Sequence, residues 1–399
     1  MLIDLHAHTS GISRCCLLPA PDILRIACEH GMDGVVLTNH YQKCYLSETF
    51  TADELAASYV QEYHYARRCG EEIGVAVFFG IEITMERHGG AHLLVYGVEE
   101  DFPVLYPNLF DMTQQELYER VKAHGGTLVQ AHPYRQNIDR LLDPAYLDGV
   151  EINCHPVYEG THSAALIEFA RANRLLLTSG GDYHADIYRV TCGVYLPDDV
   201  KSSRDICDYL YATDEIRLCV QEIPERTAHE LRYRRQDADF IIRPIQEEDN
   251  AAVERIIRDC LIEYGGNHEG TAWADPYLGR FSEVYAKDGR AYWVAVDQEG
   301  RVVGGVGIGE MDGEDGVCEL QKMYTIPAVR GTGIAARLLA VALDFAWRKK
   351  YRQCYLETLD NMYQAQRFYE KHGFVRTDRI FGATGHYACE VKYIKEIGS

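Results

Sequence analysis

Residues 2–11 read LIDLHAHTSG. A short run of strand character ends in two histidines, His6 and His8, with Asp4 just before them. Histidines two apart at a strand end point the same way and can share one cation. If this stretch opens an α/β sheet, later strands should deliver further cation-binding side chains to the same edge. His40 ends the next apolar run, in LTNH (37–40). Glu82 lies in GIEI (80–83), His132 in QAHP (130–133), and His155 follows EINC (151–154). Asp182 and His184 lie in GGDYH (180–184). His92 differs, because it starts a run, HLLVYG (92–97), instead of ending one.

The surrounding pattern supports a sheet. Up to about residue 222, apolar runs at 2–5, 34–38, 75–83, 92–97, 126–131, 149–153, 175–179 and 193–196 alternate with amphipathic stretches at 22–30, 52–68, 114–124 and 163–173. Strand and helix in alternation predict a parallel sheet, and seven or eight repeats predict a barrel. In such a barrel the strand ends gather on one face. A mixed nitrogen and oxygen donor set there suits Zn, Mn or Fe. A carboxylate can bridge two such cations, which, about 4 Å apart, can clamp a phosphoryl group.

HAH near the start, TNH, an isolated Glu, AHP and GDYH, in that order, resemble the PHP family (polymerase and histidinol phosphatase domain) over about residues 1–222. The resemblance implies an α/β fold with a distorted (βα)7-type barrel, two or three divalent metal ions and hydrolysis of a small phosphate ester. It places metal ligands at His6, His8, His40, Glu82, His92, His132, Asp182 and His184; His92 enters through the resemblance alone. Two departures stand out. Asn39 replaces an Asp common in the family, and Ser13-Arg14-Cys15 occupies the region where a His or Asp often serves a third metal. Arg14 and Arg135 are candidates to meet a substrate phosphate, and His155 to contact substrate.

Residues 224–239, PERTAHELRYRRQDAD, are polar and charge-rich, and 223–239 is read as a linker. The remainder, 240–399, has a different rhythm. A strand (240–244) and a helix (249–264) precede a hairpin, YWVAV and RVVGGVGIG around Asp297-Gln298-Glu299-Gly300. A further strand (317–326) runs into RGTGIA (330–335). The helix after it carries an apolar stripe at Ile334, Leu338, Leu339, Ala342, Phe345 and Ala346. A strand (355–358), a helix (363–372) and two closing strands follow. A glycine-rich turn between strand and helix presents backbone N–H groups at a helix N-terminus, where a diphosphate can bind. It is not a Rossmann fingerprint, because it lies mid-domain after a hairpin, and no Walker lysine follows.

Arg330, Gly333 and Ala335 match Q/R-x-x-G-x-G/A, and the flanking LQKMYTIPAVRGTGIAARLL and CYLETLDNMYQAQRFYEKHGF resemble the GNAT acetyltransferase family over about 240–395. The resemblance implies an α+β domain with a mixed, mostly antiparallel sheet, and acetyl transfer from acetyl-CoA to a small amine. Met323 and Thr325 would hold the pantetheine arm. Arg330, Gly331, Gly333, Ile334 and Ala335 would surround the diphosphate, and Asn361 would contact CoA. Tyr369 would protonate the departing thiolate. Glu319 and Glu357, on adjacent strands, are both candidates for the general base. Trp273, Asp275, Tyr277 and Glu283 would form an acidic, aromatic acceptor wall suited to a cationic amine.

Composition narrows the partners. The formal net charge of −21 over 399 residues disfavours nucleic acid and anionic membrane surfaces. It also argues against a nuclease or polymerase-editing role. No signal peptide or spanning run is read. Thirteen scattered cysteines without a CxxC suit reduced thiols, so a cytoplasmic location is expected.

Overall fold

The structure is a computed structural model and describes residues 1–135, 140–155, 160–185, 190–221, 227–235, 239–382 and 385–397. The chain forms two compact units, Met1–Asp237 and Ala238–Ser399.

The N-terminal unit is built on one eleven-stranded sheet. Its strands are β1 (Leu2–Ala7), β2 (Gly34–Leu37), β3 (His40–Tyr41), β4 (Ala76–Met85), β5 (Ala91–Tyr96), β6 (Thr127–Gln130), β7 (Gly149–Asn153), β8 (Leu176–Gly180), β9 (Gly193–Tyr195), β10 (Ile216–Gln221) and β11 (Ala228–Tyr233). The order is β11-β10-β9-β1-β2-β4-β5-β6-β7-β8, with β3 beside β4. The sheet curls until β8 returns to β1. The Asp182 N–H donates to the His6 carbonyl at 2.8 Å, and Ala7 pairs in parallel with Tyr183. The result is a nearly closed, barrel-like sheet.

It departs from the all-parallel alternation expected from the sequence. β5 runs antiparallel to both β4 and β6, and β9, β10 and β11 are also antiparallel. β4 passes into β5 through a short turn with no α-helix between. This reversal explains His92. The start of an antiparallel strand lies at the same edge as the ends of its parallel neighbours, and Thr84 of β4 is opposite His92.

The segment read as a linker holds β11, which pairs residue for residue with β10 from Ile216–Tyr233 to Gln221–Ala228. Its side chains are mostly exposed, as on a one-sided edge strand, so its polarity hid its period. The boundary between units therefore falls after this strand. Residues 223–226 and 236–238 of the linker reading lie outside the described residues.

Several contacts aim the strand ends. The helix Ala52–Ile73 starts with a capping box between Thr51 and Glu54 and buries Leu55, Ala56, Tyr59 and Tyr63. The Tyr59 hydroxyl shares its proton between the carbonyls of Asn39 and Gly80, 2.8 and 2.9 Å away. That pins the approaches to His40 and Glu82. In β1 the register shifts between Asp4 and Ala7. The freed His6 N–H donates to the Asp4 carboxylate at 2.9 Å, and the Leu5 carbonyl accepts from the Tyr96 hydroxyl at 2.9 Å.

The C-terminal unit has a seven-stranded sheet, β12 (Phe240–Pro244), β13 (Ala291–Asp297), β14 (Val302–Glu310), β15 (Val317–Thr325), β16 (Gln353–Thr358), β17 (Val375–Arg376) and β18 (Val391–Glu396), in the order β12-β13-β14-β15-β16-β18-β17. Every pairing is antiparallel except β15 with β16. The helix Ile334–Arg348 buries its stripe, Ile334, Leu338, Leu339, Val341, Ala342, Phe345 and Ala346, in the core of this unit.

Eight of the thirteen cysteines are buried and all are free thiols. Among the described residues no helix is long and apolar enough to cross a membrane.

The β1–β8 seam yields a test. A Cβ on Gly180 would stand 2.4 Å from the His6 Cβ and 2.6 Å from Glu151 Oε1. Gly180→Ala should destabilise the protein by about 1–3 kcal/mol, the usual scale of overpacking. It would appear as a lower urea midpoint at unchanged m. A midpoint equal to that of the unmodified chain would show that the seam is not packed this way.

Candidate functional site

All eight residues assigned to metal in the first half converge. Glu82 is fully buried on β4. Its Oε1 lies 2.7 Å from His92 Nδ1, 3.0 Å from His132 Nε2 and 3.4 Å from His6 Nε2. Its Oε2 faces His40 Nδ1 at 2.5 Å and His8 Nε2 at 3.4 Å. One carboxylate thus stands between two sets of imidazoles. Asp182 closes the other side: its Oδ1 is 3.0 Å from His8 Nε2, 3.4 Å from His6 Nε2 and 3.3 Å from His184 Nδ1. Five trios of these side chains, one including His155, bring their ligand atoms within 4.8 Å of one another.

A fixed scaffold orients the imidazoles. The Ser13 hydroxyl donates to Asn39 Oδ1 at 2.8 Å, and its oxygen accepts from the His40 N–H at 3.0 Å. His8 Nδ1, 3.0 Å from the same oxygen, is therefore the donor, which leaves a lone pair on His8 Nε2. His6 Nδ1 donates likewise to Glu151 Oε1 at 2.9 Å, and His184 Nδ1 to the Asp182 carbonyl at 2.8 Å. Such outer partners fix which nitrogen is free to bind a cation. His6 Nε2, His8 Nε2 and His40 Nδ1 are buried and face the Glu82 and Asp182 carboxylates, with no further hydrogen-bond partner among the described residues. Buried polar atoms left so are costly unless something binds them, and divalent cations fit this donor set.

Electrostatics agree. Burial opposes charge on Glu82, yet His40, His92 and His6 outweigh it and hold the carboxyl well below its ordinary range. Asp182 is held down in the same way, by His6 and His184 against burial. His8 is kept neutral by burial and by the neighbouring His184 and His40. Burial presses His92 and His155 down to about 4. His132 and Asp182 have φ of 30° and 52°, in the left-handed region that non-glycine residues seldom adopt. Backbone strain of this kind concentrates at functional positions.

Some sequence expectations change. Asn39 is no lost ligand: its amide oxygen holds the Thr9 N–H at 2.7 Å and its nitrogen the Thr9 hydroxyl at 3.0 Å. Arg14 does not face the centre; its guanidinium donates to the Tyr45 carbonyl at 2.7 Å and stacks on the Tyr45 ring. Arg135 does stand near, lining a small cavity with His132, Glu151 and Asn153. Glu151 was missed, because an acid inside the strand run GVEIN looked like ordinary alternation. Cys15 was seen only as a departure. Its thiol is raised by burial, but hydrogen bonds with His184 and His40 bring it down to about 6.

In the C-terminal unit β15 and β16 pair only from Val317–Gln353 to Glu319–Tyr355. Beyond that point they splay, and a cavity of about 260 Å³ opens between them. Met323, Thr325, Arg330, Gly331, Gly333, Ala335 and Tyr369 line it, with Lys322 and Glu357. Gly331 and Gly333 have φ of 83° and 90°, and nothing lies within 4 Å of where a Cβ would be. Glycine is needed there for conformation rather than for space. The Tyr369 hydroxyl is driven well above its usual pKa by burial, so it stays a proton donor.

Three assigned residues do not reach that cavity wall. Ile334 turns into the core at the first turn of its helix, as the leading residue of the apolar stripe. The Asn361 amide donates to the Tyr264 carbonyl at 2.8 Å, so it ties two loops together. Glu319 is buried, accepts from the Gln321 amide at 2.6 Å, and is raised by burial. Glu357 faces the cavity, steadied by the Tyr355 hydroxyl at 2.7 Å. The acidic acceptor wall is largely neutralised: Asp275 pairs with Lys322 at 2.6 Å and His386 at 3.1 Å, and Glu283 with Arg280. Trp273 carries Arg258 on its face, and Tyr277 is exposed.

The profile of the Acetyltransferase (GNAT) family matches residues 251–374. The uncharacterized N-acetyltransferase YjgM of Escherichia coli (strain K12) is 43% identical over 159 residues, 39% of this chain and 95% of that protein. An uncharacterized protein of Methanocaldococcus jannaschii is 26% identical over 188 residues, 44% of this chain and 92% of its own length. Among solved structures, a GNAT-family acetyltransferase from Staphylococcus aureus Mu50 is 20% identical over 40% of this chain and 99% of its own, with a TM-score of 0.36. Through its C-terminal unit, the chain belongs to the GNAT family of N-acetyltransferases.

Proposed function

We propose that the C-terminal unit transfers the acetyl group of acetyl-CoA to a small amine in the cavity between β15 and β16. The observation that carries this reading is the splay itself, which puts the glycine turn, Tyr369 and Glu357 on one wall-to-wall cavity. N–H groups at the start of the helix Ile334–Arg348 receive the diphosphate, favoured by the helix dipole. The amine nitrogen attacks the acetyl carbon, and Glu357 takes the proton it loses. The carbon–sulfur bond breaks, and Tyr369 gives its proton to the sulfur. Glu319, the other candidate base, is sealed behind Gln321 and supports the strand. Calorimetry with acetyl-CoA should show one site per chain in the micromolar range common for such cosubstrates. Absence of heat with the unmodified protein would refute the reading. Tyr369→Phe should lower kcat on the order of 10²-fold with KM for acetyl-CoA little changed. An unchanged kcat would remove Tyr369 from the chemistry.

We also propose that the N-terminal centre holds two or three divalent cations of the Zn, Mn or Fe kind and hydrolyses a small phosphate ester. The supporting observation is Glu82, whose two oxygens face separate imidazole sets as a bridging carboxylate would. Bound cations would supply Lewis-acid stabilisation of the phosphoryl charge. Arg135 and His155 stand where they can meet the substrate's anionic oxygens. A second reading, that only the GNAT unit is catalytic and the N-terminal unit is a cation-holding structural or regulatory module, is favoured by the family match, which covers the second unit alone. Metal content and phosphatase assays on the full chain separate the two. At least two ions per chain should be found, with hydrolysis of p-nitrophenyl phosphate or a phosphometabolite in Mn or Zn that Glu82→Gln abolishes. Two ions without any hydrolysis would establish the second reading; fewer than two would overturn the centre itself.

A further inference from the structure

The cavity of the C-terminal unit holds few charges. Along β15 its wall runs from Lys322 through Met323 and Thr325 to the glycine turn, so Lys322 stands at the end remote from the diphosphate. Among the described residues, the charged side chains that line the space are Lys322, Arg330 and Glu357. Arg330 is committed to Glu263 by two hydrogen bonds of 2.6 Å. The far end therefore pairs one cation with one carboxylate.

Lys322 is held in a costly conformation. Val306 of β14 stands opposite both Lys322 and Met323, which makes a bulge in β15. Lys322 takes a φ of 51°, in the left-handed region that glycine adopts without penalty. The Tyr292 hydroxyl pins its carbonyl at 3.1 Å. Such strain concentrates at active sites and ligand clamps, and here it aims an ammonium.

That ammonium is fixed in place. Its Nζ lies 2.6 Å from Asp275 Oδ2 and 3.1 Å from His386 Nε2, and His386 Nε2 is 3.1 Å from Asp275 Oδ1. The two loops that carry these partners are tied together, the Ala388 N–H donating to the Gly270 carbonyl at 2.9 Å. Burial opposes charge on Asp275, but His386 and Lys322 outweigh it and hold the carboxyl down. An ammonium has three N–H donors. Asp275 and His386 account for two, which leaves one for the cavity. The Lys322 side chain is only 11% exposed, so an anion there meets it with little competing water.

We propose that the acetyl acceptor is an amino acid, whose carboxylate binds the Lys322 ammonium while its amine is presented to Glu357. A purely cationic amine would be repelled by Lys322, and Asp275 is already spent on that lysine. The α-amino group enters as its ammonium and loses one proton to solvent. The free amine then attacks the acetyl carbon and gives its second proton to Glu357, while the departing thiolate takes one from Tyr369. The assignment rests on the reading of this unit as an acetyltransferase.

The full chain with acetyl-CoA is offered each common L-amino acid beside its amide, and the N-acetyl product is read by mass spectrometry. The amide keeps the amine and removes the negative charge. At least one acid should be acetylated with kcat/KM about 10- to 100-fold above that of its amide, the range of one charge-assisted hydrogen bond. Lys322→Gly, which also relieves the positive φ, should bring that ratio down toward one, and Lys322→Arg should retain most of it. Calorimetry with acetyl-CoA checks that each variant is folded. A ratio that Lys322→Gly leaves unaltered, a preference for the amide, or acetyl-CoA bound with no acid acetylated overturns the assignment. No binding of acetyl-CoA to the unmodified chain removes the acetyltransferase reading itself.

Discussion

A buried carboxylate that touches five imidazoles organises the N-terminal unit. Glu82 sits at zero exposure on a central strand, and His6, His8, His40, His92 and His132 all lie within 3.4 Å of one of its oxygens. A lone carboxylate in such a place would carry a desolvation cost of several kcal/mol. Positive charge on one side and a shell of oriented donors on the other make it tolerable, and the five imidazoles come from four segments of chain. The curl of the sheet, the shift in β1 and the Tyr59 bridge serve that convergence. Removing any one would leave a buried charge short of partners.

The second unit is organised by an absence of pairing. β15 and β16 are hydrogen-bonded for three residues and then part, and the space between is where CoA-type ligands can reach backbone groups on one strand and side chains on the other. The positive φ of Gly331 and Gly333 turns the chain from β15 into the long helix at the edge of that space. The two units thus build sites by opposite means, one by crowding strand ends together and the other by letting two strands separate.

Much of both sites was legible in the chain. Histidine and acid placed at the ends of apolar runs, and a glycine turn between a strand and an apolar stripe, are local patterns, and seven of the eight candidate cation-binding residues and the glycine turn of the cavity wall follow from them, while His92 came through the resemblance alone. What was not legible was orientation. Glu319 and Glu357 look equivalent in sequence, but only one faces the cavity. Asn361 has the composition of a ligand contact and spends its amide on Tyr264. Arg14 is next to the first ligands in sequence and stacks on Tyr45. The β11 strand carries few apolar residues, because one of its faces is solvated, and so read as linker.

The sequence alone determined which residue types each half brings to its site, since donor types, spacing from apolar runs and turn residues are properties of short stretches. Only the tertiary structure decided which donors share a centre and which proton each imidazole keeps. Antiparallel β5 brings His92 to the edge that parallel strands reach with their ends. Ser13, Glu151 and the Asp182 carbonyl, remote from one another in the chain, set the tautomers of His8, His6 and His184. The Leu17 N–H on the His184 carbonyl docks the loop after the first strand against the centre. Each of these depends on contacts between distant segments, and hydrogen-bond geometry across such contacts is not encoded in any one stretch.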